Sequence, residues 1–112
     1  MRVQTRIVFV DDNNEKFFGE GPYKLLTGIE KTGSLRASAN DMWLSYTKAL
    51  KIINKAEQSL GIKLIKRTVG GKSGGGSTLT DEGRAWLKKY EEFRNDCIRE
   101  NEKLFTKYYG KN

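Results

Sequence analysis

The 112-residue chain contains no histidine and one cysteine, Cys97. Together these absences exclude an intrachain disulfide, a Cys/His zinc cluster and imidazole acid–base chemistry, so no metal, cofactor or catalytic residue is expected. No apolar run approaches the roughly 18 residues needed to cross a bilayer, and the N-terminus lacks an apolar core followed by a small-residue cleavage site. A cytoplasmic location without a membrane partner is expected. At this length a second, ligand-sensing domain does not fit beside one modest core. Acidic residues are scarce where basic ones are dense. Residues 44 to 79 carry Lys48, Lys51, Lys55, Lys63, Lys66, Arg67 and Lys72 against Glu57 alone, whereas residues 1 to 43 hold six of each sign and residues 80 to 112 hold eight basic and seven acidic. Nearly the whole net charge of +7 therefore sits on one stretch. Such a concentration makes a local field that attracts phosphate.

Periodicity and punctuation divide the chain. Val3, Thr5, Ile7 and Phe9 alternate with more polar neighbours from Arg2 to Val10, which predicts a half-buried strand, and Asp11-Asp12-Asn13-Asn14 predicts a turn into a short strand at Lys16 to Phe18. Gly21 and Pro22, the sole proline, open a helix with Leu25, Leu26 and Ile29 inward, and Gly33 ends it. Ser34 caps a short second helix carrying Leu35, Ala39 and Met42, and Ser45 caps a third with Ala49, Ile52 or Ile53, and Ala56 buried, stopped by Gly61. Helix, tight turn and basic helix form a helix-turn-helix. Ile62 to Val69 and Thr78-Leu79 flank a glycine-rich tip and predict a two-stranded ribbon. Thr80 caps a last helix running to about Tyr108, on the order of 40 Å long. Trp86, Tyr90, Phe93, Cys97, Leu104 and Tyr108 form its apolar stripe. With nothing in its own chain to cover the distal half, this stripe is expected to dimerise.

On the third helix, Tyr46, Thr47, Lys48 and Lys51 leave the solvent side of the first turns, where base edges and phosphates would be met, and Lys55 lies a turn further on, suited to the backbone. Glycines at the ribbon tip allow close backbone approach to a sugar-phosphate chain; Lys72 and Ser73 sit there, and Arg67 at the base can hold a phosphate through two hydrogen bonds. Ser34, Arg36 and Ser38, at the start of the second helix, can add phosphate contacts, although Ser34 serves equally as a cap. The blander alternatives are a solvated lysine face and a flexible glycine linker. A nucleotide-binding loop at Gly71-Lys72-Ser73 fails because Lys66 stands where the motif needs glycine and glycines follow where it needs a helix.

Gly33-Ser34, Ala39, Asp41, Ser45-Tyr46, Ala49, Ile53, Asn54, Arg67, Gly70-Gly71-Lys72, Gly74-Gly75-Gly76 and Leu79-Thr80-x-x-Gly83 resemble the DNA-binding domain of the ModE family of molybdate-responsive regulators. That domain is similar to the winged helix-turn-helix of LysR-type regulators, and Leu60-Gly61-x-x-Leu64-x-x-Arg67 matches the approach to the LysR wing. The resemblance covers roughly residues 20 to 95. It departs at Trp43, where the family often has a small or polar residue, and in the lysine-rich third helix. Relatives continue into molybdate-binding modules where this chain stops, so molybdate sensing does not carry over.

The expectation is a mainly α fold with small β: a winged helix-turn-helix core with an N-terminal hairpin over residues 1–79, and a dimerisation helix over 80–112. The resemblance implies a homodimeric regulator of double-stranded DNA, with Ser34, Arg36, Ser45, Tyr46, Thr47, Lys48, Lys51, Lys55, Arg67, Lys72 and Ser73 at the duplex. A winged helix that binds protein is the alternative.

Overall fold

In the computed structural model, described over residues 1–68 and 76–110, the elements run β1 (Phe9–Val10), β2 (Lys16–Phe18), α1 (Glu20–Thr32), α2 (Leu35–Asp41), α3 (Tyr46–Leu60), β3 (Ile65–Thr68), β4 (Gly76–Leu79) and α4 (Asp81–Tyr108). The serine caps act as the sequence requires. Ser34 Oγ accepts from the Ala37 N–H and Ser45 Oγ from the Lys48 N–H, both at 3.0 Å. Gly33 and Gly61 close α1 and α3 at φ of 75° and 72°, a region that suits glycine. Pro22 falls at the third position of α1 rather than the first, because Gly19 is the N-cap; it is still within the turn whose N–H groups have no helical partner.

Three helices converge on one core. Leu25, Leu26 and Ile29 of α1, Leu35 and Ala39 of α2, and Ala49, Ile53 and Ala56 of α3 are buried together with Leu64, Leu79, Leu87 and Tyr90. Truncating a fully buried member such as Ile53 to alanine typically costs ~2–5 kcal/mol. Ser38 belongs to this interior. It is 1% exposed and its hydroxyl donates to the Leu25 carbonyl at 2.8 Å, so the phosphate contact expected of it is ruled out by burial.

Strands β3 and β4 pair antiparallel, with Arg67 opposite Ser77, and the Ser77 N–H reaches the Gly33 carbonyl at 2.9 Å. The loop joining them, with Lys72 and Ser73, lies outside the described residues. The start of α4 is fastened to the approach of β3: the Thr80 N–H donates to the Leu64 carbonyl at 3.0 Å and the Thr80 hydroxyl to the Lys63 carbonyl at 2.5 Å. Gly83 is required there, since a β-carbon would lie 2.2 Å from the Leu64 carbonyl oxygen.

The N-terminal segment departs from expectation. Only Phe9 and Val10 pair with β2. Residues 1–8 keep the alternating half-buried pattern but run antiparallel to α4 rather than beside a strand. Phe9 packs on Trp86, Tyr90 and Phe93; the Ile7 carbonyl accepts from the Tyr90 hydroxyl at 3.2 Å; Asn101 Nδ2 donates to Thr5 Oγ1 at 3.0 Å; Met1 and Val3 lie by Phe105 and Tyr109. The lengths match: eight extended residues at about 3.3 Å span about 26 Å and eighteen helical ones at about 1.5 Å span about 27 Å. A single chain thus covers part of the distal helix left bare by the sequence reading.

Trp86 and Tyr90 follow from this. Tyr90 is 1% exposed in a cluster with Phe9, Phe18 and Tyr23, and Trp86 is half-buried edge-on to Phe9 and Phe18. They pack the monomer, which removes Tyr90 as a dimer contact. Glu20 ties α1 to α4, accepting from Arg94 at 2.9 Å and from the Tyr90 hydroxyl at 3.2 Å. Burial, then the Glu20 carboxylate, pushes the Tyr90 phenol up to about 12.

Candidate nucleic-acid interface

Helix α3 buries Ala49, Ile53 and Ala56, which leaves Thr47, Lys51, Asn54 and Gln58 as an exposed stripe at spacings of four, three and four, with Lys48 also exposed beside it. Tyr46 begins the helix, half-buried, at the meeting point of three elements. The Arg36 guanidinium, from the first turn of α2, lies over its ring at 4.6 Å from the centroid, and that of Arg67, from β3, at 5.5 Å. Stacking on an aromatic face leaves the guanidinium edge free to fork onto phosphate. The root of the ribbon and the N-terminus of α3 therefore share one side of the molecule.

The carboxylates near α3 are disposed in two ways. Glu57, the one acid in the basic segment, turns toward β3 and accepts from the Leu64 N–H at 2.8 Å, with Lys63 at 3.7 Å. Its charge is spent on backbone and one lysine. Lys55 meets the hairpin turn instead: its ammonium donates to Glu15 at 2.6 Å and lies 3.6 Å from Asp11. The Glu15 carboxylate raises the Lys55 pKa above its ordinary value near 10.5. The Glu15 N–H, then the Asn13 N–H and Lys55, hold Asp11 below its usual 3.8 against partial desolvation. Among the described residues, Lys48, Lys51, Arg36 and Arg67 form no ion pair.

Of the residues singled out from sequence, Arg36, Tyr46 and Arg67 thus come together, and Thr47, Lys48 and Lys51 continue the exposed face. Ser34 and Ser45 are occupied as caps. Lys55 is engaged by the hairpin, whose acids sit 44 and 40 positions away in sequence, and it is not available as expected. Lys72 and Ser73 lie outside the described residues. Sequence reasoning passed over Gln58 and, as a contact, Asn54; extending the Thr47–Lys51 spacing by one turn finds both. Trp43 is 95% exposed in the α2–α3 turn at φ 59°, an uncommon backbone region for a tryptophan.

A short helix crossing the head of a second, with an antiparallel ribbon beside them, defines a winged helix-turn-helix. No protein-family model matches the chain. The DNA-binding transcriptional dual regulator ModE of Escherichia coli K12 is 32% identical over 90 residues, 80% of this chain and 34% of ModE. The chain spans about a third of the length of the curated relatives it matches. Among solved structures, the CbnR DBD–DNA complex aligns with a TM-score of 0.58 at 20% identity, over 74% of this chain and 90% of that one. A LysR family transcriptional regulator aligns at 0.60 with 18% identity, over 80% of this chain and 29% of that one. The fold is therefore the LysR-type winged helix-turn-helix, and the sequence similarity is to ModE, as the motifs implied. ModE and the LysR family protein are both described as transcriptional regulators.

Proposed function

We propose that this chain is a sequence-specific regulator of transcription that binds double-stranded DNA in the cytoplasm as a homodimer on two-fold related half-sites. The observation that carries this reading is the convergence of Arg36 and Arg67 on Tyr46, beside Lys48 and Lys51, on a face from which Glu57 is turned away. The first turns of α3 enter the major groove. Tyr46, Thr47 and Lys48, with Asn54 further along, read base edges, while Arg36, Lys51, Arg67 and Lys72 hold phosphates. Dimerisation uses the part of the α4 stripe that the N-terminal segment leaves wholly or partly exposed: Phe93, Cys97, Leu104 and Tyr108, of which Phe93, Leu104 and Tyr108 are 49%, 51% and 69% exposed. Molybdate has no part in this reading.

The test is a fluorescence-anisotropy titration with duplexes selected from a random pool and with scrambled ones, at two salt concentrations. Four phosphate contacts give a log–log salt slope of about −3.6, a loss of roughly 150-fold between about 50 and 200 mM. Lys72→Ala lowers affinity about equally for all sequences and makes the slope shallower by about 0.9. A winged helix that docks protein is the second reading, favoured by the exposed Trp43. It requires weak, salt-insensitive DNA binding in the same titration, which would displace the first reading.

A further inference from the structure

A groove of about 480 Å³ opens between the N-terminal hairpin, the first turn of α1 and the flank of α3. Phe17, Pro22 and Ile52 give it an apolar floor, and Lys16, Lys48 and Lys51 stand around it. Two carboxylates that would otherwise neutralise this rim are committed elsewhere. Glu20, on the groove wall, is held by Arg94 and Tyr90, and Glu15 is held by Lys55. Among the described residues Lys16, like Lys48 and Lys51, forms no ion pair. The first turn of α1, whose N-cap Gly19 supplies no side-chain hydrogen bond, adds its positive end to the same wall.

We propose that this groove binds a small organic anion, a carboxylate on an apolar body, and that the bound anion lowers DNA affinity by drawing Lys48 and Lys51 away from the duplex. The volume falls within the range of about 300–1,000 Å³ typical of small-molecule sites. A bare inorganic anion leaves the floor uncovered, and a neutral hydrocarbon leaves three ammonium groups unmatched; only the combination uses both. The binding half stands on the groove alone, while the regulatory half rests on the DNA-binding reading above.

The experiment uses 2-naphthoate as probe and 2-naphthylmethanol as its neutral counterpart, followed by amide chemical shifts of the full chain. Naphthoate is expected to shift the amides of Val8, Gly19, Gly21 and Ile52, with the alcohol at least about tenfold weaker. Lys16→Gln weakens naphthoate about fivefold. Gly21→Phe fills the groove from a position where a β-carbon meets nothing within 4 Å and abolishes the shifts. Neither residue belongs to the DNA face, so both variants keep duplex affinity within about twofold. Saturating naphthoate lowers duplex affinity at least about fivefold in the unaltered chain and leaves Gly21→Phe unaffected, since Lys48 holds a base contact and Lys51 a phosphate contact. Equal binding of acid and alcohol, shifts confined to other elements, or undiminished binding by Gly21→Phe would overturn the site. Duplex DNA shifting the groove amides in place of naphthoate would assign the groove to nucleic acid and overturn it too. Naphthoate binding without loss of duplex affinity overturns the regulatory half. A chain that binds no DNA refutes the earlier reading and leaves the naphthoate result to stand by itself.

Discussion

The two flanks of α3 carry the same sign of charge and handle it in opposite ways. On one, Arg36 and Arg67 lie over the Tyr46 ring with no carboxylate partner among the described residues, held in place by an uncharged surface. On the other, Lys55 is gripped by Glu15 and Asp11 from the hairpin turn. An aromatic platform orients a cation without discharging it; a carboxylate orients it and cancels its field. A count of basic residues therefore overstates what the duplex meets on the hairpin side and is accurate on the Tyr46 side.

The largest effect is expected from removing the stacked pair. Arg36→Ala combined with Arg67→Ala should weaken duplex binding about a hundredfold, as two charge-assisted contacts at about tenfold each, and flatten the salt slope by about 1.8. A change under tenfold in anisotropy titrations would mean that the pair serves packing alone. Next comes the platform. Tyr46→Phe keeps the ring and should cost about five- to tenfold in preference between selected and scrambled duplexes while nonspecific affinity holds; Tyr46→Ala should lose both. Equal behaviour of the two variants would assign the hydroxyl no part in readout. The smallest effect tests the opposite flank. Asp11→Asn with Glu15→Gln releases Lys55 and should raise affinity two- to threefold while steepening the slope by about 0.9. Unchanged binding would show that Lys55 stays out of reach even when free. The same tie has an acid signature: Asp11 is depressed in the folded chain, so its contribution is present above its unfolded value near 3.8 and fades as pH falls through the lower folded value. Acid unfolding of Asp11→Asn should lack that component.

Much of the fold could be read from local chemistry, because serine caps and αL glycines act within a few residues of where they stand. Ser34, Ser45, Thr80, Gly33 and Gly61 mark helix ends that the structure reproduces, and Leu25, Ile29, Ala49 and Ala56 mark the buried faces, while the choice between Ile52 and Ile53 falls to Ile53 only in the packed structure. Partners distant in sequence were not legible. The alternation from Arg2 to Val10 reports one covered side without saying by what, and a helix satisfies it as well as a strand; Thr5 meets Asn101 across 96 positions. Likewise no local pattern joins Lys55 to Glu15. Within the candidate site, Arg36 and Tyr46 were nominated separately, each from its place in the motif. Their juxtaposition depends on how α2 crosses α3, which only packing determines.

Gly83 was noticed as part of a motif, and its contact with Leu64 gives it a mechanical meaning. With Thr80 bonded to both Lys63 and Leu64, the base of α4 and the approach to the strand bearing Arg67 cannot slide past one another. In the dimer proposed above, each α4 is then a rigid handle on its reading head, and the angle at which two handles cross fixes the distance between heads like the setting of a caliper. Any substitution that loosens the Gly83 joint should blur the preferred spacing of half-sites before it weakens the grip on either one.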